Sequence, residues 1–547
     1  MSRLSNAVSD MAKEQALRPD EIVRNFMGGD SYAMSPLTTL KMVTASSIFA
    51  EPSYYRDGSY AGKTVKDGRY RCDRIIGSDD ILSEYDGKST TQIMESAIDA
   101  ALDFDFGSTL YWAVQLRNEY NMRLNPQIIM VRAALHPKRA AWTEANPGKF
   151  NDYQVQVMKR SDEPATQLAY FLYLNKGKKS NMPSILKRSI AYRLSRTGRY
   201  QVAKYKNHEI GMINAVRLTH AHSDVLDELM KTGTISVEDD QKTWENMRSN
   251  KKSWVEILDT VDMGHMAMLR NIRGVFEEIN DSEFCGKYLK ILEEGVPSGN
   301  QFPFRYWSAM EAITASSCNH KPLIVASLER CIDIAIDNMP KLKGKTMCLS
   351  DNSGSAWGGF TSEYGKVTVA EIDNLSSVIT AMLSDEGYVG KFGDRLIVHP
   401  VNKRNGALSQ AKKITETRDG DVGGATEGGI WEFFRDAINN KEHWDNIFIY
   451  SDQQAGTGGL YGTSAHVIQY GKEYGVGNHI NVFKLVQEYR KKVNPKVNVF
   501  SVQTAGYDNA ALPELAYRTH ILTGWTGAES VYADAMIRFW GEAQTDK

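Results

Sequence analysis

Two hydrophobic spacings divide the chain. From Thr90 to about Asn338 apolar residues return every three or four positions, as in Ile93, Ala97, Ala100 and Phe104. That spacing predicts helices over 126–136, 164–175, 183–196, 211–221, 223–231, 253–262, 266–279, 282–294, 303–315 and 322–338. Proline recurs near their starts, where its fixed φ and missing N–H do no harm. Short helices in series with short polar links describe an α-solenoid of HEAT-like pairs. Ahead of it, 1–30 reads as a polar arm and leading helix, 37–50 as a helix, and 52–88 as an insertion long for a loop. Beyond 339–345 strands alternate with helices: strand 347–350, helix 367–383, strand 395–399, helix 429–439, strand 446–450, helix 482–492, strands 497–502 and 520–523, and helix 530–539. Such alternation builds a doubly wound, mostly parallel sheet. The expected architecture is a helical domain over 1–340 followed by an α/β domain over 341–547.

Composition narrows the function. Basic and acidic residues balance at 65 against 67 in 547, so a polyanion site would have to be local. Five scattered cysteines (Cys72, Cys285, Cys318, Cys331 and Cys348) lack paired spacing, which fits reduced thiols in a cytoplasmic protein. The N-terminus has no apolar leader, and no apolar run is long enough for a membrane span. No phosphate loop or nucleophile elbow is present, so a non-catalytic protein is expected.

Local chemistry stands out twice. The apolar run Met347–Leu349 breaks into Asp351, Ser353 and Ser355, an Asp-x-Ser-x-Ser at the carboxyl end of a strand, where open α/β sheets bind ligands. Thr426 lies in the Gly-rich stretch 423–429, and Asp452 follows the strand 446–450. All five are oxygen donors, which suits Mg²⁺ or Mn²⁺. Asp and Ser also favour strand-end turns for their own backbone bonds, and that reading stays open. The second feature is 176–206, with ten Lys or Arg and no Asp or Glu, interleaved with Tyr192, Tyr200 and Tyr205. Uncompensated cations attract phosphates, and aromatic faces stack on unpaired bases. A solvated helix face is the plainer alternative. His220 and His222 with His208 lack a nearby ligand partner and read as ordinary surface residues.

Asp351, Ser353, Ser355, Thr426 and Asp452 together resemble the metal-ion-dependent adhesion site of von Willebrand factor A domains. Other stretches resemble the Ro autoantigen family, RNA-binding proteins with a TROVE module and a C-terminal A domain, in a bacterial or phage-type form. Leu186-Lys-Arg-Ser-Ile190 is similar to that family's Leu-Arg-Lys-Ala-Ile, and Lys204-Tyr-Lys206 with Arg217-Leu-Thr-His220 to its Lys-Tyr-Lys and Arg-Leu-Ser-His. Ala267-Met-Leu-Arg-Asn271, Phe302-Pro-Phe304 and Thr523-Gly-Trp-Thr-Gly-Ala528 carry further likeness. The resemblance implies a monomeric ring of helical repeats with the A domain. It would hold small noncoding Y-like RNA outside, pass single-stranded 3′ ends of misfolded RNA through its hole, and be tethered to an exoribonuclease such as polynucleotide phosphorylase. It assigns RNA contacts to Lys204, Lys206 and His220, and to Lys187 and Arg188. Charge and placement add Arg193, Arg196, Arg217 and His208. The family's Arg after Lys-Tyr-Lys falls near His208, one residue out of step, so a different RNA is allowed. Two rivals remain: a metal-dependent protein adaptor without RNA, and a Mg²⁺-dependent nuclease.

Overall fold

A computed structural model describes residues 22–24, 30–46, 90–120, 122–205, 210–236, 243–299, 301–358, 367–416, 422–423, 427–452, 480–504, 509–514, 516–524 and 528–542. The expected insertion at 52–88 and the polar arm before residue 22 lie outside them. Two compact units form: Met94–Met263, and Gly264–Lys547 together with Met1–Ile93.

In the unit Met94–Met263 each helix packs on near neighbours in the chain. Phe106–Asn118 lies on Leu124–Leu135 and Lys149–Val157, Leu124–Leu135 on Glu163–Leu174, and Ser184–Leu194 on Met212–Thr219. Neighbour-on-neighbour burial is the solenoid logic that the spacing predicts. Helix Ser184–Leu194 buries Leu186, Ser189, Ile190 and Leu194, one stripe at helical spacing. Several buried polar groups inside the unit pair with one another. Gln167 donates to Gln127 and Gln154, both at 2.8 Å, and Arg117 meets Glu163 at 2.9 Å. Leaving one of these buried groups without its partner costs about 1–3 kcal/mol. Helix Arg139–Ala145 escapes the sequence pattern because it buries no residue and so carries no apolar stripe.

The second unit continues with helices His265–Glu278, Ser282–Glu294, Pro303–Thr314 and Lys321–Asp337, and then the α/β domain. Nine strands are described: β1 (Ile22–Arg24), β2 (Asp30–Ala33), β3 (Leu342–Asp351), β4 (Ser384–Phe392), β5 (Leu396–Pro400), β6 (Asn446–Ser451), β7 (Asn498–Gln503), β8 (Asn509–Ala510) and β9 (Thr519–Thr523). Six form one sheet in the order β5-β4-β3-β6-β7-β9, parallel except for the edge strand β5. Helices Glu427–Asn439 and Val482–Lys492 cover one face through Trp431, Phe434, Leu485 and Tyr489. Helix Val369–Leu383 packs on β3, β4 and β6, and Ala528–Glu542 on β3 and β7. β4 was not legible beforehand: its sequence, Ser-Asp-Glu-Gly-Tyr-Val-Gly-Lys-Phe, mixes charge and glycine. Gly387 is required there, since a Cβ would sit 2.0 Å from the backbone oxygen of Ala381.

The N-terminal segment belongs to this domain. β1 and β2 pair antiparallel, and β2 pairs with β8. The Ser31 hydroxyl donates to the Ala510 carbonyl at 2.7 Å, and Ser35 N–H and Thr38 hydroxyl donate to Glu514. Tyr32 is buried in the same core as Trp431 and Phe483.

His520, on β9, gives the domain an acid limit. It stacks on Phe500 at 4.9 Å, and its Nε2 accepts from Trp540 Nε1 at 3.3 Å, which requires an unprotonated Nε2. Burial first, then Arg490 and Arg518, hold its pKa down at about 3. The folded state therefore binds fewer protons than the unfolded one between pH 6.5 and 3. Stability is whole above pH 6.5 and falls below it by about 1.4 kcal/mol per pH unit. Denaturant melts at pH 7 and pH 5 should differ by about 2 kcal/mol on this account, and His520→Gln should flatten the difference. An unchanged slope in that variant would refute the assignment.

Candidate metal centre and nucleic-acid interface

The sheet reverses direction in strand order at β3: the chain steps from β3 to β4 on one side and later places β6 on the other. The carboxyl ends of β3 and β6 flank the crevice where such sheets bind ligands. Asp351 ends β3, and Asp452 follows β6; with Ser353 they are almost wholly buried. Asp351 accepts the Ser353 N–H at 2.8 Å on one oxygen and the Ser451 hydroxyl at 2.7 Å on the other. These bonds aim the carboxylate and leave further lone pairs. Burial raises the Asp351 pKa, with the hydrogen bonds opposing. Ser355 lies in the short helix Gly354–Gly358, but its side chain, like Thr426, lies outside the description.

A third carboxylate enters from beneath. Helix Val369–Leu383 is fixed by Asn374, which accepts from the Ser350 hydroxyl at 2.7 Å and exchanges bonds with Asn352. Its neighbour Asp373 is fully buried, and neither oxygen has a hydrogen-bond partner among the described residues. Burial, then the charge of Asp351 and, after a counteracting hydroxyl, that of Asp452 push its pKa well above the usual carboxylate range. The sequence gives no warning of it. Asp373, Asn374, Ser376 and Ser377 share one face of the helix, opposite Ile372, Leu375 and Val378, as on an ordinary solvated helix, yet that polar face is buried. Among the described residues no three His, Cys, Asp or Glu side chains could hold an ion by themselves.

In the other unit the basic stretch is less free than its sequence suggests. Arg193 donates to the carbonyls of Met158 and Lys159, each at 2.9 Å, and so staples helix Ser184–Leu194 to the preceding turn. Arg199 pairs with Glu228, and Lys204 with Glu245 at 2.7 Å. The expectation of uncompensated cations fails at these two positions, because helices Asp224–Thr232 and Trp244–Ser249 bring carboxylates that the local sequence lacks. Arg196 lies 3.4 Å over the exposed ring of Tyr192. Lys187, Arg188 and Arg217 form no ion pair with a described carboxylate; Arg188 and Arg217 are exposed, Lys187 half-buried. His220 caps helix Met212–Thr219 in left-handed conformation (φ 56°), exposed. His222 stands 3.4 Å from Asp227. Lys206 and His208 lie outside the described residues.

No family model matches this sequence, and no curated protein does. Among solved structures, the fold is similar to the Ro (RSR) protein of Deinococcus radiodurans. The match has a TM-score of 0.54 at 12% identity and covers 93% of this chain and 99% of that one. The shared fold is a helical N-terminal region followed by a sheet of mostly parallel strands, the architecture expected of a solenoid with an A-type domain. Among the described residues no helix is long and apolar enough to cross a membrane.

Proposed function

We propose that this chain is a member of the Ro-like proteins and a scaffold for small noncoding RNA, acting in RNA quality control or decay and itself non-catalytic. The observation that carries this reading is the likeness to a Ro protein over 93% of the chain. Lys187, Arg188 and Arg217 support it as cations without a described carboxylate, and the Arg196–Tyr192 pair supplies a face for a base. Lys204 and Arg193 contribute less directly, since each already has partners. His220 is in reach of solvent for a hydrogen bond to phosphate or base.

The donor set at the ends of β3 and β6 fits a hard divalent cation such as Mg²⁺, since it is all oxygen, buried and rich in carboxylate. Ser353, Ser355 and Thr426 would ligate it directly, with Asp351 and Asp452 direct or through water. When bound, the cation offers a coordination position to an acidic partner. Cytoplasmic residence and an exoribonuclease partner belong to the same proposal.

The test is retention of a structured RNA with a single-stranded 3′ tail across a salt series. Affinity should fall linearly in log–log terms, by roughly 0.7–0.9 per phosphate contacted. The labelled RNA should stay intact with Mg²⁺ present. Absence of retention at low salt would remove the RNA reading, and cleavage abolished by Asp351→Ala would remove the non-catalytic one.

A further inference from the structure

We propose that Asp373 and Thr504 extend the cation site, Asp373 holding the ion through a coordinated water that Thr504 also binds. The inference rests on the metal reading above and adds two residues outside the Asp-x-Ser-x-Ser pattern. Three adjacent parallel strands converge here. β3 ends at Asp351, β6 leads into Asp452, and β7 leads into Thr504. One backbone and one side-chain bond lock the last two together: Thr504 N–H donates to the Ser451 carbonyl at 3.2 Å, and the Gln503 side-chain amide donates to the Asp452 carbonyl at 3.3 Å. Asp373 is held beneath by its neighbour Asn374, which grips residues on both sides of Asp351.

Two atoms groups in this spot are unsatisfied. Both Asp373 oxygens and the Thr504 hydroxyl are buried, and none has a hydrogen bond of full geometry among the described residues, although the hydroxyl lies close enough to the carboxylate to pull its pKa down. A dehydrated carboxylate without partners is costly, and two further carboxylates nearby deepen the cost unless positive charge is present. A hydrated divalent ion answers both needs, because Mg²⁺ and Mn²⁺ keep several of their waters and those waters donate to outer carboxylates and hydroxyls. The polar partners needed by such a water, Asp373 and Thr504, are both in place.

Mn²⁺ titration of the full-length protein, followed by the electron paramagnetic resonance of the free ion, separates the two ideas. One Mn²⁺ should bind the native protein, and Asp351→Asn should abolish binding. Asp373→Asn should weaken it by about tenfold or more and Thr504→Val by a smaller factor, the range seen for outer-shell partners of metals. Asp373→Asn should also raise the melting temperature of the metal-free protein, since it removes an acid whose ionised form burial disfavours, and lower the upward shift that Mn²⁺ gives. If both variants bind Mn²⁺ like the native protein while Asp351→Asn does not, the metal reading survives and the role of Asp373 and Thr504 is overturned. If the native protein binds no Mn²⁺, both fall. Should Asp373→Asn not fold, Thr504→Val alone decides between the first two results.

Discussion

Alanine at Gly428 is expected to destabilise the α/β domain by about 3 kcal/mol and lower its melting temperature by about 6–12 °C. A Cβ there would lie 1.8 Å from the backbone oxygen of Asp394, in the turn between β4 and β5. Neither side can yield cheaply. Gly429 N–H is bonded to the Gly393 carbonyl at 2.9 Å, and its own Cβ would meet that of Phe392 at 2.6 Å. The start of helix Glu427–Asn439 is thus pressed onto the β4–β5 turn, and only glycine fits. Thr426 lies two residues ahead, so Mn²⁺ affinity should fall in the same variant. Gly286→Ala is the matching control. Nothing stands within 4 Å of its Cβ on the exposed side of helix Ser282–Glu294, so that change should stabilise by roughly 0.5–1 kcal/mol. Melting temperatures that move alike in both variants would show that the contact at Asp394 has been misjudged.

Reversing Lys187, Arg188 and Arg217 together to Glu is expected to lower RNA affinity on the order of a hundredfold at low salt, and to reduce the salt slope by about 2. These side chains have no described carboxylate to lose, so the thermal melt should barely move. Arg193→Glu should behave in the opposite way. It removes donors from two carbonyls and should cost stability first, with any loss of RNA following from that. Equal RNA binding by the triple variant and the native chain would move the interface elsewhere on the molecule.

Much of this was readable in the chain. Most helices from 126 to 338 form within two residues of the spacing that predicts them, because each buries one apolar stripe on a neighbour, as Leu186, Ile190 and Leu194 do. Strand β6 announces itself as the unbroken apolar run 447–450, and β7 as a mostly apolar stretch broken only by Ser501; both are buried on both faces. Three things were not legible, each for a physical reason. β4 is held by its neighbours and not by its own composition. The carboxylates that neutralise Arg199 and Lys204 stand 29 and 41 residues further along, so a window of sequence cannot count them. Asp373 lies in a helix whose neighbours look like core, and its purpose emerges only when β3, β6 and β7 are brought side by side.

The pairing of β2 with β8 sets a schedule for synthesis. Ser31 and Ala510 are 479 residues apart, so the earlier segment must wait for the later one to be made. At typical elongation rates the wait is roughly half a minute to a minute and a half. Throughout it Tyr32 and the backbone groups of β1 and β2 have no permanent place, which makes this segment a natural client for a chaperone until the arrival of β8 seals the domain.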